Sequence, residues 1–127
     1  MVDRVSDMIA RIRNSQARGR LEVTVLGSRL CEQILDCLVK SGYIRGYVVE
    51  GRNIQVLLKY KNGFPVIRSM KRLSRPGFRV YKSSQELRRM YFMHKYVIFT
   101  SNQGVLLNSS LVFENKNTGG EPLIIIS

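Results

Sequence analysis

The sequence predicts an α+β protein of two small domains. Segments of helical and of strand periodicity alternate in its first half, whereas short apolar strands separated by turn residues dominate its second half. The 127 residues suffice for one domain or two very small ones, and 44% of them are hydrophobic, which is enough for a core. We therefore expect an N-terminal α/β domain over residues 1–65 and a β-rich C-terminal domain over residues 66–127.

The chain begins with a predicted amphipathic helix. Asp3 is its candidate N-cap, and Arg4, Arg11 and Arg18 fall on roughly one face. Apolar residues recur at helical spacing on another face: Val5, Met8, Ile9 and Ile12. We expect the apolar face to be buried, which leaves the helix with a basic side.

A short strand and a second helix follow. Leu21, Val23 and Val25 alternate with polar residues, which predicts a half-buried strand. Ser28 can cap the next helix, and Gly42 can end it in the left-handed conformation. The inward positions of this helix are Leu30, Ile34, Leu35 and Leu38.

The strand pattern then continues to the end of the N-terminal domain and beyond. Residues 43–50 and 54–60 read as two strands around a turn at Gly51-Arg52-Asn53. Asn62-Gly63 predicts a type I′ hairpin turn, because that turn needs positive φ at both central residues. Residues 66–73 should return as a further strand.

The second half reads as turns and short strands with one helix. Ser74 to Gly77 is a predicted turn, residues 78–82 are extended, and a capping box of Ser83 with Glu86 starts a short helix that reaches about Met90.

The end of the chain continues the strand pattern. Strands are expected over residues 96–100 and 105–107 around a polar loop, and over residues 123–126 after Gly119-Gly120. Pro122 fits only at the start of that last strand or on an edge.

Net charge is the strongest global signal. Twenty-one Lys and Arg against nine Asp and Glu give +12, and a polyanionic partner would relieve the resulting self-repulsion. Nucleic acid is the usual partner of this kind, and a merely soluble basic protein or an anionic membrane surface is the alternative. Residues 68–95 carry nine basic residues and one acid, or +8, whereas residues 96–127 carry one basic residue and two acids, or −1.

Several function classes have no support in the sequence. Cys31 and Cys37 on one helix would lie roughly 9 Å apart along its axis, beyond the reach of a disulfide, so we expect reduced thiols. No apolar run is long enough for a membrane span, and no apolar signal core is visible. His94 is the only histidine, and no metal cluster, cofactor loop or catalytic carboxylate pair is apparent. We expect a binding protein without cofactor, metal or small-molecule substrate rather than an enzyme.

Three segments carry residues suited to RNA, and each has a structural alternative. Around the predicted turn at residues 74–82, cations can bind phosphates and a tyrosine can stack, or the segment is an ordinary turn beside a solvated basic strand. The loop at residues 100–104 offers hydroxyls and amides to bases and 2′-hydroxyls, or is a plain hairpin turn. Arg11, Arg13 and Asn14 end the first helix, where they satisfy its dipole or reach RNA.

Several of these segments resemble one known family. They are DMIARIRN at residues 7–14, SGYI at 41–44, LSRPGFRVYK at 73–82, TSNQGV at 100–105 and GGE at 119–121. In order and spacing they are similar to ribosomal protein eight of the small subunit in its bacterial and organellar form, over nearly the whole chain. LSRPGFRVYK is the most specific of them.

The resemblance implies an α-β-α-β-β first domain and a mostly β second domain with a short helix. It also implies binding to a helix junction in the central domain of small-subunit rRNA during assembly, next to neighbouring ribosomal proteins. The RNA contacts predicted from the residues and the resemblance together are Arg11, Arg13, Asn14, Arg75, Arg79, Tyr81, Lys82, Thr100, Ser101, Asn102, Gly104, Gly120 and Glu121.

The sequence departs from the family pattern at three places. Asn102 stands where the family has a serine, Pro122 where it has an aliphatic residue, and residues 108–117 lack a charged, Ala-rich helical pattern. This drift favours a ribosome in an organelle matrix, with a mitochondrion ahead of the bacterial cytoplasm. A free RNA-binding module or a translational regulator of an mRNA is the alternative function. An RNA-modifying enzyme would need the cofactor loop or carboxylate pair that the sequence lacks.

Overall fold

The structure, a computed structural model, describes residues 4–73, 96–101, 104–107 and 121–126. The chain divides into two compact units, Met1–Arg68 and Ser69–Ser127. Two helices and three antiparallel sheets in the described residues confirm the predicted α+β class. The sequence predicts two RNA-binding domains with a boundary after residue 65. That assignment stays a prediction.

The first unit contains two helices, a three-stranded sheet and a short hairpin. Its elements are α1 Arg4–Ala17, β1 Glu22–Leu26, α2 Arg29–Lys40, β2 Ile44–Glu50, β3 Asn53–Leu58, β4 Tyr60–Lys61 and β5 Phe64–Pro65. The antiparallel sheet has the order β1-β3-β2, and β4 pairs with β5. Helix α1 packs on β1 and α2 packs on β2, so both helices lie against this sheet.

The core of the first unit lies between the helices and one face of the sheet. The register pairs Val25 with Ile54 and Tyr47 with Val56, which puts alternate residues of each strand on the helix side. The buried side chains of the helices are mainly apolar: Val5, Met8, Ile9, Ile12, Cys31, Ile34, Leu35 and Leu38. The predicted inward faces of both helices are therefore confirmed, except that Leu30 is only half-buried.

Helix α2 begins and ends as its sequence predicts. The Ser28 hydroxyl accepts a hydrogen bond of 3.1 Å from the backbone N–H of Cys31, which satisfies one of the first amides of the helix. At the other end Gly42 has φ +78°, and its N–H donates to the Val39 carbonyl, while the Tyr43 N–H donates to the Leu38 carbonyl. These two bonds are the Schellman arrangement. The predicted N-cap of α1, Asp3, lies outside the described residues.

The hairpin turn is confirmed, but the strand predicted after it is mostly wrong. Asn62 and Gly63 have φ of 53° and 81°, the positive pair that a type I′ turn needs. Of the predicted strand over residues 66–73, only Met70–Arg72 forms. The reason is that Ile67 and Met70 are the buried apolar residues here, and a spacing of three does not fit the alternation of a strand.

Leu21 is a second correction within the first unit. Its side chain is 67% exposed, because the strand starts one residue later, at Glu22. Val23 is half-buried and Val25 is 1% exposed, so the predicted alternation holds only for the later residues.

The described part of the second unit is a four-stranded antiparallel sheet of order β6-β9-β7-β8. Its strands are β6 Met70–Arg72, β7 Tyr96–Ser101, β8 Gly104–Leu107 and β9 Glu121–Ile126. Buried side chains on three of these strands belong to its core: Met70, Val97, Ile98, Leu123, Ile124 and Ile126.

Pro122 lies in β9, between two other strands. It is the second residue of the strand and faces Phe99, where the register of β7 shifts. Pairing of β9 with β6 begins only at Ile124, so the missing N–H of Pro122 falls before the β6 ladder. Of the two positions expected for Pro122, the start of the last strand and an edge strand, the structure shows the first.

Three predicted features fall outside the described residues. They are the turn and extended segment at residues 74–82, the short helix at residues 83–90 and the Gly119-Gly120 break.

Candidate nucleic-acid interface

The last turns of α1 carry the first group of predicted contacts. Arg11, Arg13 and Asn14 are all exposed. The Arg11 Nε donates to the Asp7 carboxylate one helical turn earlier, at 2.9 Å, and its Nη1 donates to the Thr24 carbonyl at 3.3 Å. These two bonds hold the Arg11 side chain against β1, and the Asp7 carboxylate offsets part of its positive charge. No intramolecular ion pair involves Arg13 among the described side chains, which leaves its charge better suited to a phosphate.

The second group lies at one end of the four-stranded sheet. Thr100 on β7 faces Val105 on β8 and Glu121 on β9, and Ser101 faces Gly104. Directly paired residues in antiparallel strands have Cα atoms about 4.5–5.5 Å apart. The structure therefore brings Thr100, Ser101 and Gly104 of one predicted segment and Glu121 of another to the same end of one sheet.

The extent of the predicted polar loop is corrected by this register. Ser101 ends β7 and Gly104 begins β8, so both residues belong to strands rather than to the loop expected from Ser101 to Gly104. Only Asn102 and Gln103 lie between the strands. The physical reason is that serine and glycine tolerate an extended backbone, and the ladder continues until the chain must reverse.

Six predicted contacts lie outside the described residues: Arg75, Arg79, Tyr81, Lys82, Asn102 and Gly120. Their roles stay predictions from the sequence.

One basic cluster was not found by sequence reasoning. Arg4, Arg29 and Arg52 line a shallow surface pocket beside Ser28 at the start of α2, and Glu32 is the acidic residue of that lining. The Arg4 guanidinium also donates to the Gly27 carbonyl. These arginines come from α1, α2 and the turn between β2 and β3, so no local motif could have indicated that they meet.

Other cations of the first unit have structural partners. The Arg45 Nε donates to the Leu58 carbonyl at 2.8 Å, across the hairpin of β2 and β3. The Lys59 Nζ donates to the Gly42 carbonyl at 3.1 Å, just after the end of α2. A count of positive charges therefore overstates how many are available to an anionic partner.

The resolved pKa shifts belong to structural residues. A hydrogen bond to Asp36, together with burial and nearby carboxylates, raises the pKa of Tyr47 to about 12. Burial raises the pKa of Tyr60, and burial is also the main reason why the pKa of the Cys37 thiol is raised. Both cysteines lie on α2 as thiols, as expected.

Within the described ranges, no group of three or more His, Cys, Asp or Glu could hold a metal ion. Neither of the two described helices is long and apolar enough to cross a membrane.

Comparison with known proteins identifies the family. The model of the family described as ribosomal protein S8 matches residues 3–126. The chain belongs to the ribosomal protein S8 family. The resemblance found in the sequence motifs is thereby confirmed over nearly the full length.

Members of the S8 family from bacteria are similar to the chain along nearly its whole length. The small ribosomal subunit protein uS8 of Bradyrhizobium sp. strain ORS 278 is 39% identical over 129 residues, which cover 98% of this chain and 96% of that protein. The uS8 proteins of Nitrobacter hamburgensis and of Rhodopseudomonas palustris strain TIE-1 are 40% and 38% identical over the same shares. The organellar location favoured by the sequence stays a prediction.

Proposed function

We propose that this chain is a structural protein of the small ribosomal subunit that binds the central domain of the subunit's rRNA during assembly. One observation carries the proposal: the S8 family model matches residues 3–126, and relatives named small ribosomal subunit protein uS8 match nearly end to end. The net charge of +12 supports a polyanionic partner. In this role the chain acts by binding and not as an enzyme.

The proposed mechanism divides the RNA contacts into two kinds. Cations at the end of α1 and in the +8 segment over residues 68–95 attract phosphates and orient the chain, without reading sequence. Hydroxyl and backbone groups at the end of the β7–β8–β9 sheet recognise the shape of one RNA junction through 2′-hydroxyls and base edges. The register that sets Thr100 opposite Glu121 supports this second part, because both predicted segments can then contact a single RNA feature.

The near-neutral charge of residues 96–127 is a reason for this division. The segment carries −1, so phosphate attraction contributes little there and hydrogen bonds must dominate. Neighbouring small-subunit proteins are the expected protein partners. The site of action is the ribosome, in a bacterial cytoplasm or an organelle matrix.

Reconstitution with rRNA tests the proposal. The full chain should bind a junction fragment of central-domain rRNA more tightly than a scrambled RNA of equal length, and should sediment with small subunits at high salt. Equal affinity for both RNAs together with loss from subunits at high salt would contradict it. Release from subunits with retained junction binding would favour the alternative of a free RNA-binding module or translational regulator.

A further inference from the structure

The β4–β5 hairpin presents an aromatic side chain to solvent. Phe64 is 70% exposed, the highest value among the exposed large hydrophobic residues of the described part of the chain. The type I′ turn at Asn62-Gly63 holds the hairpin in one geometry. Packing gives no reason for a phenylalanine at this position, because most of its apolar surface remains in water.

Phe64 shares a surface pocket with two apolar residues and one cation, and a second cation is its cross-strand partner. Phe64, Pro65, Ile67 and Arg68 line one open surface pocket. Lys61 is the direct cross-strand partner of Phe64, so their side chains lie on the same face of the hairpin. Lys61 and Arg68 are both exposed. An exposed apolar ring that shares a pocket with one solvated cation and a hairpin face with another matches a nucleotide, which has an apolar base face and a charged phosphate on either side.

The positive charge of the hairpin and its flanking residues favours an anionic partner. Residues 51–68 of the first unit contain four basic residues and no Asp or Glu. A protein partner with an ordinary apolar patch would leave Lys61 and Arg68 without counter-charges, whereas an RNA strand supplies them at every phosphate. The hairpin therefore fits a polyanion with exposed π faces.

We propose that the β4–β5 hairpin is a second RNA contact, in which Phe64 stacks on an unpaired base while Lys61 and Arg68 bind the flanking phosphates. The inference rests on the proposed RNA-binding function and extends it to Lys61 and Phe64, which lie outside the predicted contacts, and gives a defined role to Arg68, the first residue of the +8 segment. Stacking accepts any base, so this contact adds affinity for a single-stranded RNA segment without sequence preference.

Affinities of the full chain for a single-stranded ten-nucleotide RNA and for a duplex of the same sequence test the proposal. Phe64→Ala should weaken single-strand binding by about 5- to 150-fold and leave duplex binding unchanged, because bases in a duplex already stack on each other. Phe64→Trp should retain single-strand binding, whereas Phe64→Leu should not. Leu21→Ala is the matched control, since Leu21 is 67% exposed and lies outside the hairpin.

Lys61→Ala and Arg68→Ala should each lower the magnitude of the slope of log affinity against log salt by about 1. Equal single-strand affinity for Phe64→Ala and Leu21→Ala, or full binding by Phe64→Leu, would overturn the stacking contact. If these variants bind alike while wild type still binds the central-domain junction, the hairpin proposal fails and the ribosomal function stands. If wild type binds neither single strand nor junction, both fail.

Discussion

The phenol of Tyr47 on β2 donates a hydrogen bond of 2.6 Å to the Asp36 carboxylate on α2. The bond joins the second helix to the edge strand of the sheet beneath it. Its acceptor is charged, which strengthens the bond, but both side chains reach solvent, which weakens it. We expect it to fix the position of α2 more than to add much stability.

The titration of Tyr47 should reveal this bond. Its pKa rises from 10 to about 12, because the hydrogen bond to Asp36 holds the phenolic proton in the folded state. A raised pKa stabilises the protonated form, so the contribution is fully present below pH 10, falls between pH 10 and about 12 and is lost above. The difference in phenolate absorbance between wild type and Tyr47→Phe should show a midpoint near 12. Asp36→Asn should lower that midpoint, and an unchanged midpoint would contradict the assigned cause.

The glycine that ends α2 should resist substitution. Gly42 has φ +78°, a conformation that costs a residue with a Cβ roughly 1–2 kcal/mol. Gly42→Ala should lower the free energy of unfolding by about that amount in chemical denaturation. Gly46→Ala in β2 is the control, because its φ is not positive and an added Cβ would lie 4.0 Å from Leu57 Cδ1. Equal losses for both variants would argue against a conformational cause.

Two leucines of the first unit should differ strongly in their effect on stability when each is replaced by alanine. Leu58 is 1% exposed at the end of β3, whereas Leu21 is 67% exposed before β1. Leu58→Ala should cost about 2–5 kcal/mol, because it removes buried apolar surface and leaves a cavity. Leu21→Ala should change the free energy of unfolding by less than about 0.5 kcal/mol. A large loss for Leu21→Ala would mean that its side chain is covered in solution.

Local chemistry explains which elements could be predicted from the sequence. Ser28, Gly42 and the Asn62-Gly63 pair act through their own φ angles and neighbouring amides, so their positions in the chain were sufficient. The strand predicted over residues 66–73 formed only at Met70–Arg72, because alternation alone does not reveal which apolar residues find a partner. Ile67 and Met70 are buried at a spacing that only the folded chain determines.

The candidate site was likewise predictable from the sequence only in part. The family motifs identified the segments around Thr100 and Glu121, but their approach depends on β9 lying beside β7 in the sheet. The cluster of Arg4, Arg29 and Arg52 and the exposed Phe64 depend on tertiary contacts or on their absence. No pattern within a short window carries that information.

The two proposed kinds of RNA contact should respond differently to salt. Arg13 is exposed near the end of α1, and each lost phosphate contact lowers the magnitude of the slope of log affinity against log salt by about 1. Arg13→Ala should therefore weaken junction and scrambled RNA alike and reduce that slope. Ser101→Ala should leave the slope nearly unchanged and lower only the preference for the junction, by roughly 0.5–1.5 kcal/mol for one lost hydrogen bond. Salt titrations of both variants on both RNAs measure this, and a slope change confined to Ser101→Ala would mean that the two surfaces have the opposite roles.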